Sequence, residues 1–157
     1  INSTYWVHYK MNEVKQRIKA HEGYRLEPYH CTENFLTGGW GHKILDGEEV
    51  PTSEEGWSEL FDKDFEKSLK GANSLIEEHL ENTEWSGLED AKKNIVQGIL
   101  IEMCFQLGQA GVGKFKNMFK YLGQCNFKRA SQEMKDSRWH EQTKARCIEL
   151  STIIHNI

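Results

Sequence analysis

Proline is almost missing from this chain of 157 residues, which holds 2 of them against 13 glycines, so long helices can run without enforced breaks. Cysteine is sparse and unpatterned. Cys31, Cys104, Cys125 and Cys147 form no CxxC pair and no zinc-knuckle spacing, which argues against a disulfide framework and leaves free thiols as the expected state. No stretch approaches the roughly 18 apolar residues of a membrane span, and the opening INSTYWVHYK lacks the apolar run of a secretory signal. A basic stripe with interleaved aromatics is also lacking, which disfavours nucleic acid as a partner. His21, His30 and His42 have no spacing typical of zinc ligands, so no metal is expected. The first residue is Ile rather than Met, which fits a processed chain or a piece of something larger, and Met11 offers an internal start.

What is present describes one soluble globular domain, or one waisted into two lobes. Hydrophobic residues make up 38% and charged residues 28%, with a mean hydropathy of -0.71. The 5 Trp, 5 Tyr and 7 Phe are too many for a disordered tail and suit an aromatic core or cleft. Net charge is -4, but it is uneven. Up to Trp85 there are 9 basic against 17 acidic residues, and after it 11 against 7. This marks either a positive lobe facing an anionic partner or solvated helix faces of unequal sign.

Residues 11–22 place Val14 and Ile18 four apart among charges, with Gly23 beyond, which predicts a short amphipathic helix with a glycine stop. From Tyr24 to Ile44, β-formers alternate with polar residues around Gly38, Gly39 and Gly41, which predicts a small hairpin or meander. Pro51, Thr52, Ser53, Glu54 and Glu55 open a long helix whose apolar stripe, Trp57, Phe61, Phe65, Ala72 and Leu75 among others, runs to about Leu80. Ser86 and Glu89 suggest a capping box for a very apolar helix ending near Gly108. Shorter helices are expected around Lys114–Leu122, closed by Gly123, around Phe127–Lys135, and around Thr143–Ile154 with Thr143 as N-cap.

A carboxylate at a helix end, followed at once by a hairpin with a Cys, a Thr and a Gly-rich turn, brings polar groups to one side of a cleft: Glu22, Cys31 and Thr37. A glutamic acid between hydrophobic walls holds its proton closer to neutrality and can pass it to a leaving oxygen. A solvated helix end is the plainer role for such a residue. The stretch HEGYRLEPYHCTENFLTGGWGHKI, His21 to Ile44, resembles the catalytic segment of the phage-type lysozymes, glycoside hydrolase family 24. That family shows Glu, eight residues, Asp or Cys, five residues, Thr, and then a Gly-x-Gly-His turn. Glu22, Cys31 and Thr37 match this spacing, and Gly39-Trp40-Gly41-His42 supplies the turn. MCFQLGQAGVGKF, Met103 to Phe115, and SRWHEQTKAR, Ser137 to Arg146, resemble two further family segments in the same order.

The resemblance implies an α+β, mostly helical, lysozyme-like fold. A small hairpin lobe (about 24–50) would be joined by a connecting helix (52–80) to a helical lobe (86–157) that includes the N-terminal helix 11–22. It implies a muramidase acting on bacterial peptidoglycan without metal or organic cofactor, with Glu22 as general acid. Arg146 would pair with Glu22, and a cation there favours the ionised carboxylate. Cys31 stands where the T-even enzyme has Asp. It would position water, act as a base in its thiolate form or serve as nucleophile, unless it is a structural thiol. A neutral thiol is expected, pushed higher by Glu22. Thr37 would hold the attacking water or have no role beyond the hairpin. His42 would pair with Asp64 to organise the lobes. Sugar-binding positions match Lys43, Phe105, Met118 and Glu133, and Arg138 is a candidate for a muropeptide carboxylate. Trp139 offers a sugar-stacking face or, more simply, core packing.

Two rivals stand beside this reading. One is a cysteine amidase or endopeptidase with Cys31 as nucleophile and His30 or His42 as base. The other is an inactive lysozyme-like module that binds cell wall or builds a tail. The chain is expected to be monomeric unless it belongs to a tail or baseplate. It would be made in the host cytoplasm and act in the periplasm or cell wall, or else in the virion tail.

Overall fold

The computed structural model describes residues 3–157, with side chains described from Lys10 onward. Helix α1 (Ser3–Glu22) is longer than the predicted 11–22. It stops where Gly23 takes φ 69°, and the Gly23 N–H closes on Lys19 O at 3.0 Å, a left-handed turn that glycine adopts without steric cost. Val14 and Ile18 are both buried, as their spacing predicts.

The glycine-rich stretch folds as a three-stranded antiparallel meander in the order β1 (Arg25–His30), β2 (Leu36–Gly39) and β3 (His42–Lys43). Tyr29 pairs with Thr37, and Thr37 pairs in turn with Lys43. The sheet docks on helix α2 (Glu54–His79), because Gly38 and Gly39 present bare backbone to the Trp57 indole; a Cβ at either position would overlap that ring. Trp57 is buried and its Nε1–H donates to Leu26 O at 2.9 Å, fastening β1 as well. Helix α2 is capped by Ser53, whose hydroxyl accepts from Gly56 N at 3.2 Å. Its buried face of Trp57, Phe61, Phe65, Ala72 and Leu75 follows the predicted stripe.

Helix α3 (Asp90–Gly113) packs along α2 at the centre of the molecule. Its backbone breaks at Gly108, φ 77° and ψ 159°, close to the expected end, and a final helical turn follows. The expected capping box does not form. Ser86 lies instead in a 3-10 turn (Glu84–Gly87), and Glu89 precedes α3 with no side-chain cap. Contrary to the expectation of no such segment, α3 is long and apolar enough to cross a membrane by length and composition. Half of its most apolar window is buried among the other helices, as a central core helix requires.

Four short helices complete the chain: α4 (Lys116–Gly123), α5 (Phe127–Lys135), α6 (Arg138–Gln142) and α7 (Lys144–His155). Gly123 is the last residue of α4 rather than its stop. The left-handed position is Cys125, φ 54°, and Gly123 packs against Thr83. Thr143 does occupy the N-cap of α7, but its hydroxyl donates to Trp139 O at 3.2 Å and accepts from Gln106 Nε2 at 3.0 Å, leaving the α7 N–H groups without a side-chain cap. Helix α6 went unpredicted. Ser137 caps it by accepting from His140 N.

Candidate functional site

Glu22 ends α1, where the chain turns into the sheet, and is partly exposed. Its Oε1 accepts from Arg146 Nη1 at 2.8 Å, a pairing of residues 124 positions apart. Arg146, on the first turns of α7, is 9% exposed and so far from a solvated surface charge. From the other side the turn between β2 and β3 closes on the same carboxylate. Gly41 has φ 74°, and a Cβ there would lie 3.1 Å from the Glu22 carboxyl carbon and closer still to Oε2. The preceding residue, Trp40, meets Tyr24 at 4.6 Å and Phe61 at 5.8 Å between ring centroids, and Lys19 Nζ sits 4.2 Å over its ring. Glu22 is thus held between a cation and bare glycine backbone.

Cys31 lies in the β1–β2 connection, held where its N–H donates to Phe35 O at 2.9 Å and Asn34, φ 64°, turns the chain. Desolvation pushes its thiol up, but the Phe35 and Glu33 backbone N–H groups, the Thr37 hydroxyl and the Lys43 charge outweigh it and leave the pKa below its ordinary value. This corrects the expectation of a thiol raised by Glu22: the neighbours that matter are donors and a cation. Thr37 is buried in β2 and its single hydroxyl proton serves either Phe35 O, at 3.0 Å, or the Cys31 sulfur, so its oxygen lone pairs remain for a water proton.

His42 pairs with Asp64 through Nδ1 at 2.6 Å, as the resemblance implied, and also meets Glu48 through Nε2 at 2.8 Å. The Asp64 hydrogen bond first, then partial burial acting in the opposite sense, and then the Asp64 and Glu48 charges set its pKa, with a net rise. Glu48 is pushed up by desolvation, but the Leu45 N–H and His42 pull it below the usual carboxylate range. Both His42 nitrogens are engaged by carboxylates, so neither is turned to serve as a base for Cys31.

The binding candidates fall in three places. Met118, Glu133 and Arg138 line one cavity of about 420 Å³ with Phe115, Trp139 and Gln142. Phe105 packs 5.5 Å from Phe61, one ring removed from Trp40. Lys43 pairs with Glu33 at 3.1 Å and lies 4.6 Å over the Phe35 ring. Trp139 is a core residue, 2% exposed, with its Nε1–H donated to Gln106 Oε1 at 2.9 Å.

Sequence reasoning missed Glu102. It is fully buried in α3 and accepts from Arg17 Nε at 2.5 Å, from Arg146 Nε at 3.3 Å and from His21 Nδ1. A lone acid inside the apolar run NIVQGILIEMCF was the available signal, since an unpaired charge is rarely buried.

Helices around a long central helix, a small antiparallel meander against α2 and a carboxylate clamped between them define a lysozyme-like α+β protein. The phage lysozyme family model matches residues 19–151, and the chain belongs to that family. Among curated relatives, it is 29% identical to "Probable T4-type lysozyme 1" of Dictyostelium discoideum over 92% of this chain and 94% of that protein. It is 31% identical to "Probable T4-type lysozyme 2" of the same organism, over 87% and 89%. It is also 27% identical to "Pre-baseplate central spike protein Gp5" of Enterobacteria phage T4, over 90% of this chain but 27% of that protein.

Proposed function

We propose that this chain is a muramidase that hydrolyses the β-1,4 bond between N-acetylmuramic acid and N-acetylglucosamine in bacterial peptidoglycan. The observation that carries the reading is the Glu22 clamp: one carboxylate at the end of α1, gripped by Arg146 and overhung by the Gly41 turn. Glu22 protonates the glycosidic oxygen as the C1–O bond breaks and positive charge develops on the sugar ring. A water held by Cys31 and Thr37 adds to the anomeric carbon. The lowered Cys31 thiol favours its use as the base, so the water proton passes to the sulfur, and solvent exchange then restores both groups. His42 with Asp64 and Glu48 fixes the sheet on α2.

The glycan strand lies between a hairpin lobe, about 24–50, and the helical lobe formed by 86–157 with α1. Lys43 and Phe105 line its path near the clamp. Glu133 and the exposed Arg138 take a further part of the substrate at their cavity, where Arg138 meets a stem-peptide carboxylate, while Met118, 1% exposed, packs in the core behind them and is not a binding residue as the resemblance implied. Likeness to the Gp5 spike protein supports action from a virion tail as the alternative to a free endolysin.

Replacing Glu22 by Gln tests the assignment. Release of reducing ends from purified peptidoglycan is expected to fall about 100-fold or more, the usual worth of a general acid. Undiminished release would remove Glu22 from the chemistry, and new amino groups in place of reducing ends would select an amidase.

A further inference from the structure

The Arg146 guanidinium has two anchors. Nη1 donates to Glu22 and Nε to Glu102, while the buried Nη2 has no hydrogen-bond partner among the described residues. Glu102 in turn is divided between its two oxygens. Oε1 receives Arg146 Nε and His21 Nδ1, and Oε2 receives Arg17 Nε. The far ring nitrogen of His21 meets Glu149 Oε2 at 2.6 Å. One fully buried carboxylate on α3 therefore ties together cations from α1 and α7, and one of those cations is the group that grips Glu22.

We infer that Glu102 is a positioning residue of the catalytic clamp, fixing the Arg146 guanidinium so that Nη1 meets Glu22. The inference rests on the muramidase reading only for its kinetic consequence. The physical argument is one of lone pairs. A carboxylate accepts on both oxygens, so it serves Arg17 on one side and Arg146 with His21 on the other. The amide of Gln accepts on one side only, and its NH₂ would face a donor N–H on whichever side it took. With Nη2 unpartnered, an Arg146 that loses its Nε acceptor pivots about Glu22 alone, and its hold on that carboxylate loosens.

Three measurements test this. In Glu102→Gln, kcat on soluble peptidoglycan strands should fall by about tenfold or more with KM within twofold, since small misplacements at a reacting group act on turnover. Adding Arg17→Met removes the donor that clashes with the new NH₂ and frees the amide oxygen for Arg146, so the double variant should regain most of the lost kcat. A residue with a merely structural role would be worsened by that second change. Third, and independent of activity or of the stability of any Glu102 variant, Arg146 Nε–H in the wild-type protein and in Glu22→Gln should exchange with solvent at least about tenfold more slowly by NMR than that of the exposed Arg138.

Unchanged kcat in Glu102→Gln, a loss that Arg17→Met deepens, or an Arg146 Nε–H exchanging like that of Arg138 would each overturn the inference. Its failure is separable from that of the function. If Glu22→Gln is inactive and Glu102→Gln turns over normally, the positioning role falls alone. If Glu22→Gln retains full activity, the muramidase reading falls and the exchange measurement still decides whether Glu102 holds Arg146.

Discussion

Gly41 and Gly47 provide a controlled pair for testing how closely the β2–β3 turn governs the Glu22 carboxylate. Both have positive φ, 74° and 79°, so alanine at either should cost about 1 kcal/mol of backbone strain. They differ in what a side chain would meet. At Gly47 there is nothing within 4 Å, whereas at Gly41 the new Cβ would lie 3.1 Å from the Glu22 carboxyl carbon and overlap Oε2. To restore ordinary van der Waals separation the carboxylate must retreat by roughly 1 Å, a displacement that can cost about 100-fold in rate at a reacting group. Thermal unfolding and reducing-end release would be measured on both variants. Each should lose about 2–4 °C in Tm for that strain, and only Gly41→Ala should lose activity, by one to two orders of magnitude. Equal activity in the two variants would refute the idea that the turn abuts a working carboxylate.

The raised His42 pKa fixes a sign. A group whose folded value is raised contributes stability that is full below its unfolded value, about 6.5, and fades as pH rises through the folded value. The stability gap between wild type and His42→Gln should accordingly be widest around pH 5–6 in urea unfolding and shrink at alkaline pH; a gap that widens with pH would contradict the ion-pair assignment. Below about pH 4.5 the lowered Glu48 works in the opposite sense and its contribution is lost as it protonates. Among the thiols, Cys31 should be alkylated first by iodoacetamide near neutral pH, with loss of lytic activity. Cys104 is pushed up to about 12 and Cys147 to about 11 by burial, and Cys125 is also raised by desolvation; mass spectrometry showing Cys125 modified before Cys31 would refute the lowered thiol. Leu100→Ala in the buried centre of α3 should cost about 2–5 kcal/mol, and a fall in Tm of less than about 2 °C would show that the site is not close-packed.

The helix stop at Gly23, the meander and the Gly39–His42 turn were legible because they lie within one short segment, where strand alternation and turn chemistry follow from local preferences, and the spacing of Glu22, Cys31 and Thr37 took its meaning from a family resemblance. The stripe of α2 was legible for the same reason: a 3.6-residue period selects one face whatever that face meets. Caps were read less well. Ser53 caps α2 as its motif suggested, but Ser86 and Glu89 were drawn into a 3-10 turn and a bare N-cap, and Cys125 rather than Gly123 took the left-handed position. The sense of the Cys31 shift was also misread, because the backbone donors around a thiol depend on how its loop closes and not on which charge is near in sequence.

The sequence alone therefore determined the mostly helical class and the single β region, each encoded over a few turns or strands of contiguous chain, while Glu22, Cys31 and Thr37 were singled out by their likeness to the phage-type lysozymes. The likeness to phage-type lysozymes implied the Arg146–Glu22 and His42–Asp64 pairs, and only tertiary structure brought the buried Glu102 to Arg17, His21 and Arg146. Glu102 is 85 positions from Arg17 and 81 from His21, and Arg146 is 124 from Glu22. Whether an acid in an apolar helix finds cations is settled by which helices pack face to face, since a charge loses its water on burial and must be repaid by partners within a few ångströms.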